Sequence, residues 1–533
     1  MSHALVILMA QINPTVGAIE ANAQNIIQII QTHQATHDLI VFPELALVGY
    51  PPEDLLLRPE LTERVEQALD LICRATNNTH VAIGHPHQDK TQRFNSLSMI
   101  HRGQIIAHYD KHHLPNTGVF DEKRYFTPGA NTPCLLNINN HSIGFCICED
   151  IWQPGPVEQA LAAGAELLVC LNASPFEIGK FEKRLELLRA HAKKGLSLIY
   201  VNIVGGQDEL VFDGRSLALD NQGHIQAQAP VFTEHLQTVH VQNHQIQSEI
   251  APDLEENALV YQALCTGLRE YINKNSFPGV VLGLSGGLDS ALTLAIAVDA
   301  LGADRVHALA LPSRYTSDIS TEDIDEILAL QGVSHHTLSI EPGFKTMLET
   351  LQPVLDEQGA PEITQQNLQA RLRGLLLMAY SNSHGMLVLT TSNKSESAVG
   401  YTTLYGDMCG GYAPIKDVPK TRAYALAHYR NTLGRVIPER VLTRAPSAEL
   451  ADNQTDQDSL PDYPELDAII AYHMDEKLSA ADIIQKGHAP DVVHHVIKLI
   501  KRHEYKRRQA APGTKITPRA FGRDWRYPIT SGF

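Results

Sequence analysis

Cysteine is scarce: seven in 533 residues, at positions 73, 134, 146, 148, 170, 265 and 409. An odd number at uneven spacing makes no disulfide framework and reads as reduced, cytosolic usage. Positive charge is also in deficit. A net charge of −17 argues against a non-specific nucleic-acid binder, although a local basic patch could still hold phosphates. Long hydrophobic runs are missing. No stretch approaches the roughly 20 apolar residues of a membrane span. The apolar run Leu5–Ala10 has no basic flank and is too short for a signal core, so it reads as a first β-strand. Neither an internal repeat nor a low-complexity tract is present. The 26 histidines show no H-E-x-x-H or comparable ligand spacing and are assigned no role, most of them being expected at the surface. With 43% apolar and 19% charged residues, wholesale disorder is excluded. What remains is a large acidic protein of about two or three domains.

Through residue 220, short apolar runs alternate with helical periods. The runs Leu39–Phe42, Val81–Gly84, Ile143–Cys148, Leu167–Leu171 and Leu198–Val201 read as strands, and Ala21–Thr32, Thr62–Ala75 and Val157–Ala163 as helices. That alternation predicts an α/β layer fold. Residues 222–250 look like closing strands. Ile250-Ala251-Pro252-Asp253 breaks the pattern, which suggests a first domain over 1–245, a linker over 246–257 and a second domain over 258–533. Residues 444–465 read as an exposed loop able to act as a lid, and Asp491–Gln509 as a helix.

In the second half, Ser285-Gly286-Gly287-Leu288-Asp289-Ser290 follows a short strand and opens an apolar-rich helix. Glycines let the backbone approach an anion, and the helix start favours negative charge. With no lysine in the loop this is not a Walker A motif. Asp289 makes sense beside phosphate only with a bridging Mg²⁺. The hexapeptide, with Gly283 and Leu284 before it, resembles the pyrophosphate loop of ATP pyrophosphatases. Thr390-Thr391-Ser392-Asn393-Lys394-Ser395-Glu396 and Gly400–Asp407 narrow the resemblance to the NAD synthetase family, which amidates nicotinic acid adenine dinucleotide (deamido-NAD). The resemblance implies a Rossmann-like parallel sheet, ATP contacts over Gly283–Ser290 and at Thr391, Mg²⁺ on Asp289 and Glu396, and deamido-NAD contacts at Asn367, Glu396 and Lys506. Periodicity puts Asn367 and Arg371 on the face of their helix opposite a buried stripe of Leu368, Leu372, Leu375 and Leu376.

In the first half, Glu44, Lys111 and Cys148 each stand at the end of an apolar run. Strand ends are where α/β folds gather chemistry, and a carboxylate, an ammonium and a thiol could serve as base, oxyanion stabiliser and nucleophile. Cys146 shares the strand face of Cys148 and is a rival nucleophile. Phe42-Pro43-Glu44-Leu45, Lys111-His112-His113-Leu114-Pro115 and Cys148-Glu149-Asp150-Ile151-Trp152 resemble the three blocks of the nitrilase superfamily. That resemblance implies an α/β/β/α sandwich in which Cys148 attacks the side-chain amide of glutamine. It also implies glutamine contacts at Thr117, Glu122, Ser174 and Lys180, with Thr117 standing where the family has tyrosine.

Together the resemblances imply a glutaminase feeding ammonia to an ATP- and Mg²⁺-dependent amidation, in a cytoplasmic homo-oligomer with no nucleic-acid or membrane partner. A different glutamine-fed ATP pyrophosphatase fits less well: the chain starts Met1-Ser2 rather than with a cysteine nucleophile, and the first half lacks a Cys-His-Glu glutaminase pattern. An amidase whose second half only senses nucleotide, and a non-catalytic nucleotide-binding assembly protein, are the remaining alternatives.

Overall fold

The computed structural model describes residues 4–242, 245–355, 362–447, 449–451, 456–458 and 460–532. The chain divides into two compact units, Met1–Leu254 and Glu255–Phe533.

The first unit contains β1 (Leu5–Gln11), α1 (Ile19–His33), β2 (Leu39–Val41), α2 (Pro59–Ala75), β3 (His80–Asp89), β4 (Gln92–His101), β5 (Gln104–Asp110), β6 (Cys134–Ile138), β7 (His141–Ile147), α3 (Pro156–Ala162), β8 (Leu167–Asn172), α4 (Lys180–Ala192), β9 (Ser197–Asn202), β10 (Val204–Gln207), β11 (Leu210–Asp213), β12 (Leu217–Leu219), β13 (Ile225–Gln228), β14 (His235–Gln242) and β15 (Gln245–Gln247). One described sheet runs β15-β14-β1-β2-β3-β4-β5 and a second runs β13-β12-β9-β8-β7-β6. Strand alternation explains their stacking. Leu5, Ile7 and Met9 share a core with Phe145, Val169 and Ile199 of the other sheet. Leu8 and Ala10, on the opposite face of β1, share a core with Ile26 and Ile30 of α1 and with Val65 and Ile72 of α2. With α3 and α4 on the second sheet, the expected α/β/β/α sandwich is the observed one. The parallel pairs β1–β2–β3 and β7–β8–β9 align the carboxyl ends of these strands.

The second unit contains α5 (Glu256–Lys274), β16 (Val280–Gly283), α6 (Leu288–Leu301), β17 (Val306–Ala310), α7 (Asp318–Gln331), β18 (Ser334–Thr337), α8 (Glu341–Leu355), α9 (Glu362–His384), β19 (Leu387–Leu389), α10 (Lys394–Val399), α11 (Lys420–Thr432), α12 (Glu439–Thr443), α13 (Tyr463–Met474), α14 (Ala480–Gln485), α15 (Pro490–Arg502) and α16 (Glu504–Arg507). Its described sheet, β18-β17-β16-β19, is parallel throughout, as expected. A separate apolar cluster joins α13, α14 and α15 to Phe521 and Trp525. Among the described residues, no helix is long and apolar enough to cross a membrane.

Three expectations need correction. The helix expected over Asp491–Gln509 breaks at His503, whose φ of −99° and ψ of 16° leave the helical region. The Arg507 guanidinium turns back to Ile500 O and to Ala398 O, replacing helical partners with side-chain donors. The buried stripe of α9 is Gln369, Ala370, Leu372, Gly374 and Leu377, whereas Leu375 is 60% exposed. The loop around Tyr405 and Gly406 packs against Ala370 and Gly374, so a face expected to be solvated is covered. In the expected lid, residues 448, 452–455 and 459 lie outside the described residues, and Asp456, Leu460 and Tyr463 are buried rather than exposed. The Tyr463 hydroxyl donates to Asp456 Oδ2 at 2.7 Å, and Leu460 and Tyr463 join the apolar cluster of α13.

Candidate functional site

In the first unit, three chain segments deliver polar groups to one buried place. β2 runs into Phe42-Pro43, and Glu44 follows. Gly84 on β3 passes so close to this turn that a Cβ there would meet Leu45 N at 2.5 Å, so only glycine fits. Lys111 follows β5, and its Nζ donates to Glu44 Oε1 at 2.7 Å and to Glu122 Oε1 and Oε2 at 2.9 Å. Glu122 opens a short 3₁₀ turn and also accepts the Tyr50 hydroxyl at 2.8 Å. Cys148 stands one residue past β7 with φ of 44°, in the left-handed region where a non-glycine residue is strained. Asp150 ties this turn to the lysine segment. It accepts the backbone N–H groups of His112 and His113 at 3.1 and 2.8 Å and the Tyr109 hydroxyl at 2.8 Å.

The electrostatics follow from burial. Burial acts against the Lys111 charge, but the Glu122 and Glu44 carboxylates outweigh it and hold the ammonium well above the usual lysine range. Burial pushes Glu122 up to about 7, against the Lys111 charge and with help from Glu44. Burial, then Glu44, also pushes the Cys148 thiol well up, with Lys111 pulling the other way. A resting thiol beside a carboxylate needs a base to become a thiolate.

The residues expected to contact glutamine divide. Ser174 is buried: its N–H donates to Asn202 Oδ1 at 2.8 Å, and its hydroxyl accepts from Arg184 Nη2 at 3.3 Å. The preceding Ala173 N–H donates to Glu44 Oε2 at 2.9 Å. Lys180 opens α4 with Nζ 5.8 Å from the Phe120 ring centre. Thr117 is exposed and lies outside the buried cluster.

In the second unit, β16 ends at Gly283 and α6 begins at Leu288, so the phosphate loop spans the strand–helix junction. Gly286 has φ of 79°, and a Cβ there would meet Ser320 O at 2.7 Å. Ser290 Oγ donates to Gly287 O at 3.0 Å and lies 3.1 Å from Ser285 Oγ, which holds the loop open toward a cavity of about 300 Å³. Residues 283–290, Thr391 and Glu396 all line that cavity. Lys420 pairs with Asp289 Oδ2 and lies 3.5 Å from Glu396 Oε1. Burial, then Asp289, raises Glu396 to about 8 despite Lys420. Asp289 Oδ1 is buried and has no hydrogen-bond partner among the described residues. Two hard oxygen donors around an ammonium, one oxygen still unpartnered, fit a divalent cation such as Mg²⁺. Among the described residues no group of three or more Asp, Glu, His or Cys side chains forms a metal cage, so such an ion would complete its shell with phosphate oxygens and water. Asn367 and Lys506 meet at one loop. Thr403 Oγ1 donates to Asn367 Oδ1 at 2.9 Å, and Lys506 Nζ donates to Gly400 O and Thr402 O at 2.8 and 2.7 Å.

Family models match both halves: carbon–nitrogen hydrolase over residues 8–250 and NAD synthase over residues 260–510. The chain is 47% identical to the glutamine-dependent NAD(+) synthetase of Xanthomonas campestris pv. campestris, over 100% of this chain and 98% of that one. It is also 47% identical to that of Acinetobacter baylyi, over 99% and 98%. The solved synthetase of Acinetobacter baumannii with adenosine diphosphate superposes with a TM-score of 0.81 at 45% identity, covering 99% of both chains. The chain belongs to the glutamine-dependent NAD(+) synthetases. Members are ligases that carry a glutaminase domain and use ATP to amidate deamido-NAD.

For this synthetase, sequence reasoning missed Tyr50, Asn95, Arg184 and Asn202 in the first unit and Lys420 in the second. It quoted Asp407 without a role. Burial pushes Asp407 up to about 6, although it accepts the Thr403 N–H at 2.7 Å. Arg371, noted only for its helix face, donates from Nε to Leu404 O at 3.2 Å on the same loop as Asn367 and Lys506. Asn202 carried a usable signal, an amide closing the largely apolar strand Ser197–Asn202, whereas Asn95 sits in the mixed polar strand Gln92–His101 and carried none. Lys420 carried none beyond following Pro419 at a helix start.

Proposed function

We propose that the first unit hydrolyses glutamine at Cys148 and that the ammonia is consumed in the second unit, at an adenylated deamido-NAD. The observation that carries this reading is the Lys111 ammonium, buried between Glu44 and Glu122 beside a thiol. Glu44 takes the Cys148 proton as Sγ attacks the side-chain amide carbon, and Lys111, giving up one of its two bonds to Glu122, donates to the oxygen that becomes anionic. The proton then passes from Glu44 to the departing nitrogen. Water, deprotonated by Glu44, releases glutamate from the thioester. Ser174 and Lys180 would orient the amino-acid end of glutamine, with Thr117 at the rim and Glu122 holding Lys111.

In the second unit, the carboxylate of deamido-NAD attacks the α-phosphorus of ATP and pyrophosphate leaves. Ammonia then attacks the acyl carbon and AMP leaves, giving NAD⁺. The Gly286 and Gly287 backbone and the Ser285 and Ser290 hydroxyls would cradle the phosphates, and Thr391 would contact ATP. Asn367, Glu396 and Lys506 would hold the dinucleotide. Mg²⁺ on Asp289 and Glu396 would neutralise phosphate charge. The seven unpaired cysteines suit a reducing compartment such as the cytoplasm. We also infer a homo-oligomer, which light scattering tests.

The deciding assay is NAD⁺ formation from deamido-NAD, ATP and Mg²⁺ with glutamine or ammonium salts, in wild type and Cys148→Ala. Loss of glutamine-driven synthesis alone supports the two-site reading. Loss of neither activity, or of both, refutes the assignment of Cys148.

A further inference from the structure

Asn95 lies on β4 opposite Pro86 of β3 and is fully buried. A buried amide in a strand is unfavourable unless its polar atoms are used. Its Nδ2 donates to Glu44 Oε1 at 2.7 Å and lies 3.5 Å from Glu122 Oε2, and its backbone carbonyl accepts the Lys111 N–H at 2.8 Å. Oδ1 has no partner among the described residues. The opposite amide orientation would set a carbonyl oxygen against a carboxylate oxygen, so chemistry decides which end faces Glu44. One side chain therefore joins both carboxylates, and its backbone anchors the lysine.

The lone pairs of Glu44 can be accounted for one by one. Oε1 accepts from Asn95 Nδ2 and Lys111 Nζ, which uses both of its lone pairs. Among the described residues Oε2 accepts only the Ala173 N–H and keeps one lone pair. We propose that Asn95 is a positioning residue for glutamine hydrolysis: with Lys111 it saturates Glu44 Oε1 and so confines the transferred proton to Oε2. As the S–C bond forms, the Cys148 proton moves to Oε2; as the C–N bond breaks, it moves from Oε2 to nitrogen.

This rests on the glutaminase reading above. The test uses the full chain with Asn95→Asp and Asn95→Ser, beside wild type and Cys148→Ala. Asn95→Asp keeps the shape, removes the donor and adds a carboxylate to a site already faced by Glu44, Glu122, Lys111, the Tyr50 hydroxyl and Cys148. Glutamine-driven kcat is expected to fall by about 100-fold, with glutamine KM within about threefold. The acid limb of kcat/KM for glutamine should rise by about one to two pH units, because adjacent carboxylates share a proton. Asn95→Ser, which adds no charge, should lower kcat by about tenfold without that shift. Ammonium-driven synthesis should stay within about twofold in both variants, since it bypasses the site. An unchanged kcat and acid limb in Asn95→Asp would overturn the proposal. So would a change in KM alone, or a parallel loss of both activities in both variants, since Asn95 would then serve only binding or folding. Retained glutamine-driven synthesis in Cys148→Ala would instead overturn the glutaminase reading itself.

Discussion

Replacing Glu122 by glutamine separates a charge effect from a shape effect in the first unit. Glu122 is raised from 4.5 to about 7, chiefly by burial. For a carboxyl with a raised folded value the linkage runs one way: its stabilisation is complete below about 4.5, and is lost as pH rises through about 7. At high pH the loss is on the order of 3 kcal/mol, and roughly 2 kcal/mol of it accrues between about pH 5.5 and about pH 8.5. The substituted side chain carries no titrating proton, while its amide oxygen can still accept from Lys111 Nζ and the Tyr50 hydroxyl. Relative to wild type, Glu122→Gln should therefore gain about 2 kcal/mol between those two pH values. For a unit of this size that is a relative rise in Tm of about 4–8 °C for the first unit's transition. Calorimetry of both proteins at both pH values checks it, compared as differences so that unrelated pH effects cancel. A Tm difference independent of pH would mean that Glu122 does not titrate in this window, and the electrostatic account of the cluster would be wrong.

Lys420→Met should abolish NAD⁺ synthesis from either nitrogen source by at least about 100-fold while leaving glutamine hydrolysis intact, read by parallel glutamate and NAD⁺ assays. Asp289→Asn should raise the Mg²⁺ concentration needed for half-maximal synthesis by about tenfold, read from a Mg²⁺ titration at fixed ATP. Gly286→Ala combines a φ of 79° with a Cβ 2.7 Å from Ser320 O; it should destabilise the second unit by about 1–3 kcal/mol and weaken ATP binding, measured by calorimetric unfolding and titration.

Much of both sites was legible because local chemistry marks it. Glu44 follows a buried run stopped by Pro43, and Gly286 and Gly287 interrupt a strand–helix junction, so pattern alone gave these residues a place. What pattern could not give was partnership over distance. Asn95 meets a carboxylate 51 positions earlier, and Ala173 donates to the same carboxylate from 129 positions later. Neither separation leaves a periodic trace. The stripe of α9 was misread for a related reason: Leu375 has the right spacing for burial, but the 405–406 loop covers a different side of the helix, and that loop's path is tertiary. The break at His503 has no glycine or proline to announce it, because the Arg507 side chain supplies the compensating donors.

Both units bury a lysine between two carboxylates, yet the two clusters are built for different ends. Lys111 Nζ makes three hydrogen bonds, to one oxygen of Glu44 and both of Glu122, which uses all its donors. Burial and the neighbouring charges there oppose any exchange of the cation. Lys420 pairs with Asp289 Oδ2 and lies 3.5 Å from Glu396, while Asp289 Oδ1 has no partner among the described residues and the pair faces a cavity. With Glu396 raised to about 8, that second cluster has one carboxylate largely neutralised by a bound proton near neutral pH. A second cation arriving there would release the proton and use the free oxygen, so added positive charge is drawn in. In the first cluster both oxygens of Glu122 already accept from the lysine. A lysine between two carboxylates thus makes a fixed charge in one unit and a receptive one in the other, and the difference lies in the unpartnered Asp289 oxygen and the cavity beside it.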